Sequence, residues 1–457
     1  MKGDCFMNII IVGCDRVGTT LAEILDADGN NVTIVDIDAE KVKDVAGKID
    51  IMGIVGNGAT HTTQLEAGIK NANLLIAVTG SDELNLLCCI MAKREGNCHA
   101  IARLENPEYN GEAEYIKNEL GLAMVINPEL AAAEEIARIL RFPSALNIDT
   151  FAGGKVELIK FKLPEQSNLA GMSVKHAAVN MSSDILFCTV ERGDEAYIPH
   201  GDFVFEGKDI ISIIASPKAA NAFFKKIGFR SEAVKDVIIA GGGKISEYLC
   251  KTLAKTNMNI KIVEKNKQRC EELANSLLKV TVVNGDPRSK DVMHEEGISR
   301  ADAFVSLTGD DEENILLSLF AKAEGAKKLI TKINRVDYDD VIRPLELDST
   351  IYPKSVTAEQ IVRYARSMKS TLGSKFETMY TISKGQLEAG EFKINEPSEI
   401  TGKPLHTLPL KKGVLIASIL RDKSVIIPRG NDIIEVGDAV VVVYQSMTLS
   451  DITNILR

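Results

Sequence analysis

The sequence predicts an α/β protein of two doubly wound parallel-sheet domains, each followed by a small β-rich α+β subdomain, made by tandem duplication. Three observations predict it. Short β-branched runs alternate with amphipathic helical stretches in the first part of each copy. Each copy opens with a strand, a glycine turn, a helix and a second strand ending in an acid. The chain also repeats itself: residues 56–93 and 285–322 match at 13 of 38 positions at an offset of 229, where chance gives about two. Upstream, IIIVG (9–13) matches VIIAG (237–241), and VTIVDID (32–38) matches IKIVEKN (260–266). Downstream, ERGDEAYIPHGD (191–202) lies opposite LRDKSVIIPRGN (420–431). The repeated unit is roughly 225 residues long.

In the first copy the expected strands are Asn8–Val12, Val32–Asp36, Met52–Val55, Leu74–Val78, His99–Arg103 and Met124–Ile126. Val17, Leu21, Ile24 and Leu25 put one apolar face on the first helix, and Ile245, Leu249 and Leu253 repeat it in the second copy. NPELAAAEEIARILRF (127–142) is a long helix, and YPKSVTAEQIVRYARSM (352–368) is its partner. The pattern then changes to short strands between polar turns. These are KVELIKFKL, ILFCTVERG, EAYIPHGD and DIISIIAS, then EAGEFKI, VLIASILRD, SVIIPRGN and DAVVVVYQ. The expected domains are 7–142 and 231–371 for the parallel-sheet parts, with 143–230 and 372–457 for the β-rich modules.

At 457 residues the chain exceeds one ordinary core. A net charge of −10 with no basic stripe excludes a general nucleic-acid binder. No apolar run approaches the roughly 18 residues that span a bilayer, and the short polar stretch Met1–Phe6 reads as a dispensable lead. The eight cysteines show no C-x-x-C spacing and read as reduced thiols that pack like small hydrophobes. The six histidines are scattered, so no metal site is expected.

A strand–glycine turn–helix presents free N–H groups at a positive helix end, which suits a phosphate. In the first copy this turn is Gly13-Cys14-Asp15-Arg16-Val17-Gly18; in the second it is Gly241-Gly242-Gly243-Lys244-Ile245-Ser246. Asp36 and Glu264 each stand 23 residues after the first glycine, where a carboxylate takes ribose hydroxyls and disfavours a 2′-phosphate. NAD or an adenosine nucleotide therefore fits better than NADP. Asp15 departs from the bare second glycine. Its bulk and charge weaken diphosphate binding unless a cation or Arg16 compensates, so the second copy has the more permissive turn. VTGSDELN (78–85) and LTGDDEEN (307–314) are strand-to-helix turns with Ser81 and Asp310 placed as caps. Asp82 and Asp311 fit either a cap or a ligand contact. GNGAT (56–60) suits the base pocket. His176, His200 and Arg192 are polar candidates in the first β module, against the plainer reading of solvated loops.

The β modules offer no clustered acid or base to set against a nicotinamide, and there is no Walker sequence or nucleophile elbow. An NAD-dependent oxidoreductase and a DNA-binding metabolite sensor are the alternatives. The first lacks an acid–base constellation, and the second lacks a helix-turn-helix and a basic surface. Nucleotide binding without chemistry points to sensing.

Taken with the ARLENPEY and TKINRVDY strands and the IPHGD and IPRGN turns, the chain from Met7 to Arg457 resembles the TrkA family. These are tandem RCK (KTN) proteins, the cytosolic regulatory subunits of Trk potassium uptake systems. The resemblance implies Rossmann-like clefts that bind NAD(H) and adenine nucleotides (ATP, ADP or AMP). It also implies a homodimer assembling to a homotetramer ring, peripheral on the inner face of the membrane, on a potassium-translocating integral membrane subunit (TrkH/TrkG-like). Carried over by position, the first-copy contacts are Gly13, Arg16, Val17 and Gly18 at the phosphates and Asp36 on the ribose. Asn57 and Ala59 lie near the base, Thr79 and Gly80 along the cleft, and Asp15 and Arg103 belong to the same set. In the second copy they are Gly241, Gly243, Lys244, Glu264, Asp286, Thr308 and Gly309. No catalytic residue is implied.

Overall fold

The computed structural model describes the chain except residues 1–5, 107, 108, 110, 143, 144, 152–154, 181–183, 229–233, 336–341, 343, 344, 346, 372–375, 383–385, 423 and 446–450. The expected domain boundaries at 143, 230, 231 and 372 therefore lie outside the described residues, as do most of the N-terminal lead and the end of TKINRVDY.

The first copy begins β1 (Asn8–Val12), α1 (Arg16–Ala27), β2 (Asn31–Asp36), α2 (Ala39–Lys48), β3 (Met52–Val55), α3 (His61–Glu66), β4 (Leu74–Ala77), α4 (Asp82–Gly96) and β5 (His99–Arg103). It continues with α5 (Ala113–Glu119), β6 (Met124–Ile126) and α6 (Pro128–Arg141). The sheet order is β3-β2-β1-β4-β5-β6 and every pair is parallel. This is the doubly wound order with its switch between β1 and β4, where a crevice opens at the carboxyl ends of the strands. Strands covered on both faces are apolar throughout, and β4 is buried at all four residues.

In the second copy β12 (Asp236–Ala240), β13 (Asn259–Glu264), β14 (Val280–Asn284), β15 (Ala303–Ser306), β16 (Lys328–Lys332) and β17 (Ser349–Ile351) pair as β14-β13-β12-β15-β16-β17. Its helices here are α9 (Lys244–Leu253), α10 (Lys267–Ser276), α11 (Lys290–Glu295), α12 (Asp311–Ala323) and α13 (Pro353–Thr371). The two copies stand 228 residues apart through β13 and 229 from β15 onward. The extra residue lies in the loop before β14: the helix caps Ile49 and Leu277 still match at 228, whereas Thr281 takes the register place of Met52 at 229.

The β modules hold β7 (Asn147–Phe151), β8 (Val156–Lys162), α7 (Val174–Asn180), β9 (Ile185–Arg192), β10 (Glu195–Tyr197), β11 (Ile210–Ala215) and α8 (Pro217–Lys226) in the first copy. The second copy has β18 (Phe376–Ile382), β19 (Leu387–Lys393), β20 (Val414–Arg421), β21 (Ser424–Ile426) and β22 (Ala439–Gln445). Both antiparallel sheets run in equivalent order, β7-β8-β11-β9-β10 and β18-β19-β22-β20-β21. Strand β7 falls largely in one stretch that reads as a boundary, 143–150, and β18 begins at the end of another, 369–376. Antiparallel pairing to β8 and β19 makes strands of them.

The chain forms two compact units, and like packs with like: Met1–Ala137 with Lys235–Ala365, and Arg138–Val234 with Arg366–Arg457. In the first unit the Tyr248 hydroxyl lies 3.3 Å from Asn127 Nδ2, and His99 Nδ1 lies 2.8 Å from the Tyr364 hydroxyl. In the second, Phe151, Cys188 and Ile214 share one core with Ile382, Ala417 and Val441. There the Gln386 side chain donates to Asp194 O at 2.7 Å and accepts from Ala196 N at 3.0 Å.

Candidate functional site

The turn after β1 is tight because Gly13 sits at φ +114°, and a Cβ there would stand 3.0 Å from the Val78 carbonyl carbon and oxygen. Gly18 closes it from the helix side: a Cβ at 18 would lie 1.9 Å from Gly13 O. Asp36 then ties the turn to its own loop. Its Oδ2 accepts from Cys14 N at 2.7 Å and its Oδ1 from Asp38 N at 3.0 Å. The second copy repeats this with Glu264, which accepts from Gly242 N and Asn266 N, both at 2.7 Å. Gly241 stands at φ +100°. Ser246 replaces the third glycine and donates its hydroxyl to Gly241 O at 2.6 Å.

The second glycine position is a question of space, because Asp15 and Gly243 share an extended backbone, φ −69° in both. A Cβ at 243 meets nothing within 4 Å. Asp15 sends its carboxylate into the matching space of the first copy, where Oδ1 lies 2.9 Å from Lys41 Nζ on α2. That hydrogen bond and its charge raise the Lys41 pKa. The counterpart of Lys41 is Arg269, which turns elsewhere. It donates to Gly242 O at 2.8 Å and to Glu247 at 2.7 Å.

Thr79 and Gly80 form the opposite wall, set by the buried Asn85. The Asn85 Oδ1 accepts from Thr79 N at 2.8 Å and from the Thr79 hydroxyl at 2.7 Å; its Nδ2 donates to Thr79 O at 3.2 Å and Arg103 O at 2.9 Å. Asn314 does the same for Thr308 and Lys332. Ser81 and Asp310 cap their helices, accepting from Leu84 N and Glu313 N. Asp82 accepts from Glu105 N and Asn106 N, and Asp311 from Asn334 N and Arg335 N, so these acids hold the loops after β5 and β16. Asn57 makes a local turn by accepting from Ala59 N. Its counterpart Asp286 accepts from Arg288 N and pairs with the Arg288 guanidinium, which holds its carboxyl down at about 2.

The first cleft encloses about 360 Å³, and Gly13, Asp15, Asp36, Asn57, Thr79 and Gly80 line it. Of the other residues selected from sequence, Val17 is buried in the helix face and Gly18 lies behind the turn. Ala59 packs against the core, and Arg16 begins α1 outside the lining. Arg103 lies behind Thr79, donating to its carbonyl at 2.6 Å. Gly241, Gly243, Lys244, Glu264, Asp286, Thr308 and Gly309 occupy the equivalent stations of the second copy. Sequence reasoning missed Asp38 and Lys41, which also line the first cleft. The available signal was their place just past Asp36, at the start of α2, where Asp38 caps the helix. Where the copies meet, burial and Glu105 raise the Glu129 pKa, while Lys244 and Arg103 act against the rise.

In the β modules Arg192 is bound up in structure. It pairs with the buried Asp209 through two 2.8 Å bonds and donates to Val204 O at 2.9 Å. Arg421 repeats this with Asp438 and Ile433 O, each at 2.9 Å. His176 shares a 3.0 Å hydrogen bond with Ser173, and His200 stands edge-on to Phe203. The described cysteines, Cys14, Cys88, Cys89, Cys98, Cys188, Cys250 and Cys270, are free and buried, and burial pushes their thiols up. No helix among the described residues is long and apolar enough to cross a membrane.

Two doubly wound sheets, each with a glycine turn tied to the acid that ends its second strand and each continued by a β module, define a class of tandem dinucleotide-fold proteins. Residues 9–128 and 237–353 match the TrkA-N domain, and residues 158–228 and 390–457 the TrkA-C domain. The chain belongs to the TrkA family. It is 34% identical to Trk system potassium uptake protein TrkA homolog 1 of Methanosarcina mazei, over 98% of this chain and 99% of that protein. It is 32% identical to Trk system potassium uptake protein TrkA of Halomonas elongata, over 95% of each. Among solved structures, the GsuK channel bound to NAD superposes with a TM-score of 0.63 at 16% identity, covering 98% of this chain and 78% of that one.

Proposed function

We propose that this chain is a cytosolic, non-enzymatic regulatory subunit of a potassium uptake system. It binds NAD(H) and adenine nucleotides in its two clefts and gates a potassium-translocating membrane subunit (TrkH/TrkG-like) through conformational change of a homotetrameric ring. The observation that carries this reading is the duplicated turn in which Asp36 or Glu264 is fixed by a backbone N–H at the mouth of a cleft. The family membership and the NAD-bound fold neighbour support the ligand class. Assembly is supported by apolar side chains left in solvent at equivalent places: Leu87 and Ile90 on α4 are 47% and 41% exposed, and Leu316 on α12 is 67% exposed. A helix apolar on several faces is built to be covered. Nucleotides then shift the ring by their differential affinity for its states, and two ligands competing for one crevice push it in opposite directions.

The test is calorimetry of the full chain with NAD, NADH, AMP, ADP and ATP, joined to co-purification with a potassium-translocating membrane subunit in detergent. Saturable binding without turnover, and capture that depends on the nucleotide, are expected. Sustained NADH oxidation, or failure of capture in every nucleotide condition, would refute the reading.

A further inference from the structure

We propose that the Asp15 carboxylate is a built-in occupant of the phosphate position of the first cleft, and that a phosphorylated ligand enters there by displacing Asp15 from Lys41. This rests on the reading of the clefts as nucleotide sites. Four observations carry it. Asp15 is the N-cap residue of α1, yet its side chain makes no capping hydrogen bond. It reaches across the cleft wall instead, to Lys41 Nζ at 2.9 Å, and both side chains are about half exposed, 47% and 49%. The matching direction in the second copy is open, with nothing within 4 Å of a Cβ on Gly243. The matching cation there, Arg269, is engaged by Gly242 O and Glu247. The cation of the first cleft is thus held by an exposed acid at the second glycine position, whereas the cation of the second is held by the Gly242 carbonyl and Glu247.

A helix N-terminus favours an anion, and in the first copy the chain supplies one itself. An incoming phosphate carries the same sign of charge as Asp15 and cannot share the space with it. The exchange is simple in outline: the phosphate takes the Lys41 ammonium, and the Asp15 side chain turns out to solvent. An exposed ion pair is weak enough to break for this purpose. Asp15 therefore sets the first cleft's affinity for phosphorylated ligands below that of the second, and Lys41 is the side chain that decides whether such a ligand is held at all.

The test uses the full-length chain titrated with ADP by calorimetry, with melting temperature as a check on folding. Two classes of site per chain are expected. Asp15→Asn tightens the weaker class about tenfold by removing the like charge and the ionic hold on Lys41. Lys41→Met weakens the same class about tenfold and Lys41→Arg restores it, while the stronger class stays within about twofold throughout. If wild type shows only the stronger class, Asp15→Asn bringing in a second site supports the proposal equally. Asp15→Asn leaving site number and both affinities within about twofold, or Lys41→Met tightening the weaker class, overturns it. ADP binding to none of these folded variants strikes the nucleotide reading itself, so the two failures are distinguishable.

Discussion

Replacing Asn85 with leucine removes the clamp that shapes one wall of the first cleft. The side chain is fully buried, with four hydrogen bonds to Thr79 and Arg103. Leucine keeps the branched shape and none of the bonds. Thr79 O retains its 2.6 Å bond from Arg103, and the Thr79 hydroxyl retains a 3.4 Å contact with Ser81 O. Thr79 N and Arg103 O lose the Asn85 partner. Each orphaned buried backbone group costs about 1–3 kcal/mol, so the sum is about 2–6 kcal/mol, less about 1 kcal/mol for the added apolar burial. That leaves about 1–5 kcal/mol, and at about 2–4 °C per kcal/mol the unfolding transition of the first unit falls by roughly 2–20 °C. Urea and thermal melts measure it. ADP titration reports the second consequence, a loss of affinity confined to one site, because Thr79 and Gly80 line that cleft. Asn314→Leu is the internal control, with the same four bonds in the second copy. A change below about 0.5 kcal/mol, the scale of an ordinary surface substitution, would refute the clamp.

Gly18→Ala forces a methyl group to 1.9 Å from Gly13 O, so a destabilisation of about 3 kcal/mol or failure to fold is expected. Gly243→Ala meets open space at an ordinary φ and stays within about 0.5 kcal/mol, and denaturant midpoints of the two variants decide it. Lys328 is 4% exposed, and burial lowers its pKa from 10.5 to about 8, against the pull of Asp348. The unfolded chain therefore binds the extra proton between about 8 and 10.5, so stability rises with pH across that window and is flat below it. Lys328→Met removes the rise in a pH series of melts and adds stability at neutral pH. Leu87→Glu combined with Leu316→Glu lowers the mass in size-exclusion light scattering while leaving the melting temperature unchanged, since both side chains are exposed.

Much of this was legible in the sequence because it is local. The parallel strands, the duplicated turn, the acid after β2 and the Ser81 and Asp310 caps depend on neighbours a few residues away or on simple periodicity. What the sequence hid depends on distant partners. Nothing near Asp15 names Lys41, which lies 26 residues on and arrives only because α2 is laid beside the α1 turn. Arg103 looked like a cleft residue by position; its side chain instead braces Thr79 from behind. Strands β7 and β18 border the boundary stretches 143–150 and 369–376, and antiparallel pairing to β8 and β19 fixes them. The β modules join through contacts such as Gln386 with Asp194, 192 residues apart, which no local pattern records.

The pairing of like with like also governs how the protein is made. The chain emerges in the order sheet domain, β module, sheet domain, β module, while each compact unit takes the first with the third and the second with the fourth. The face around Asn127 and His99 therefore leaves the ribosome long before Tyr248 and Tyr364, its partners, exist. Until the segment Lys235–Ala365 has been synthesised the first sheet domain lacks its complete partner. A neighbouring nascent chain at the same stage carries the same open face. Polysomes translating this message are where exchange between chains is most accessible, and slowing synthesis after residue 234 is the way to provoke it.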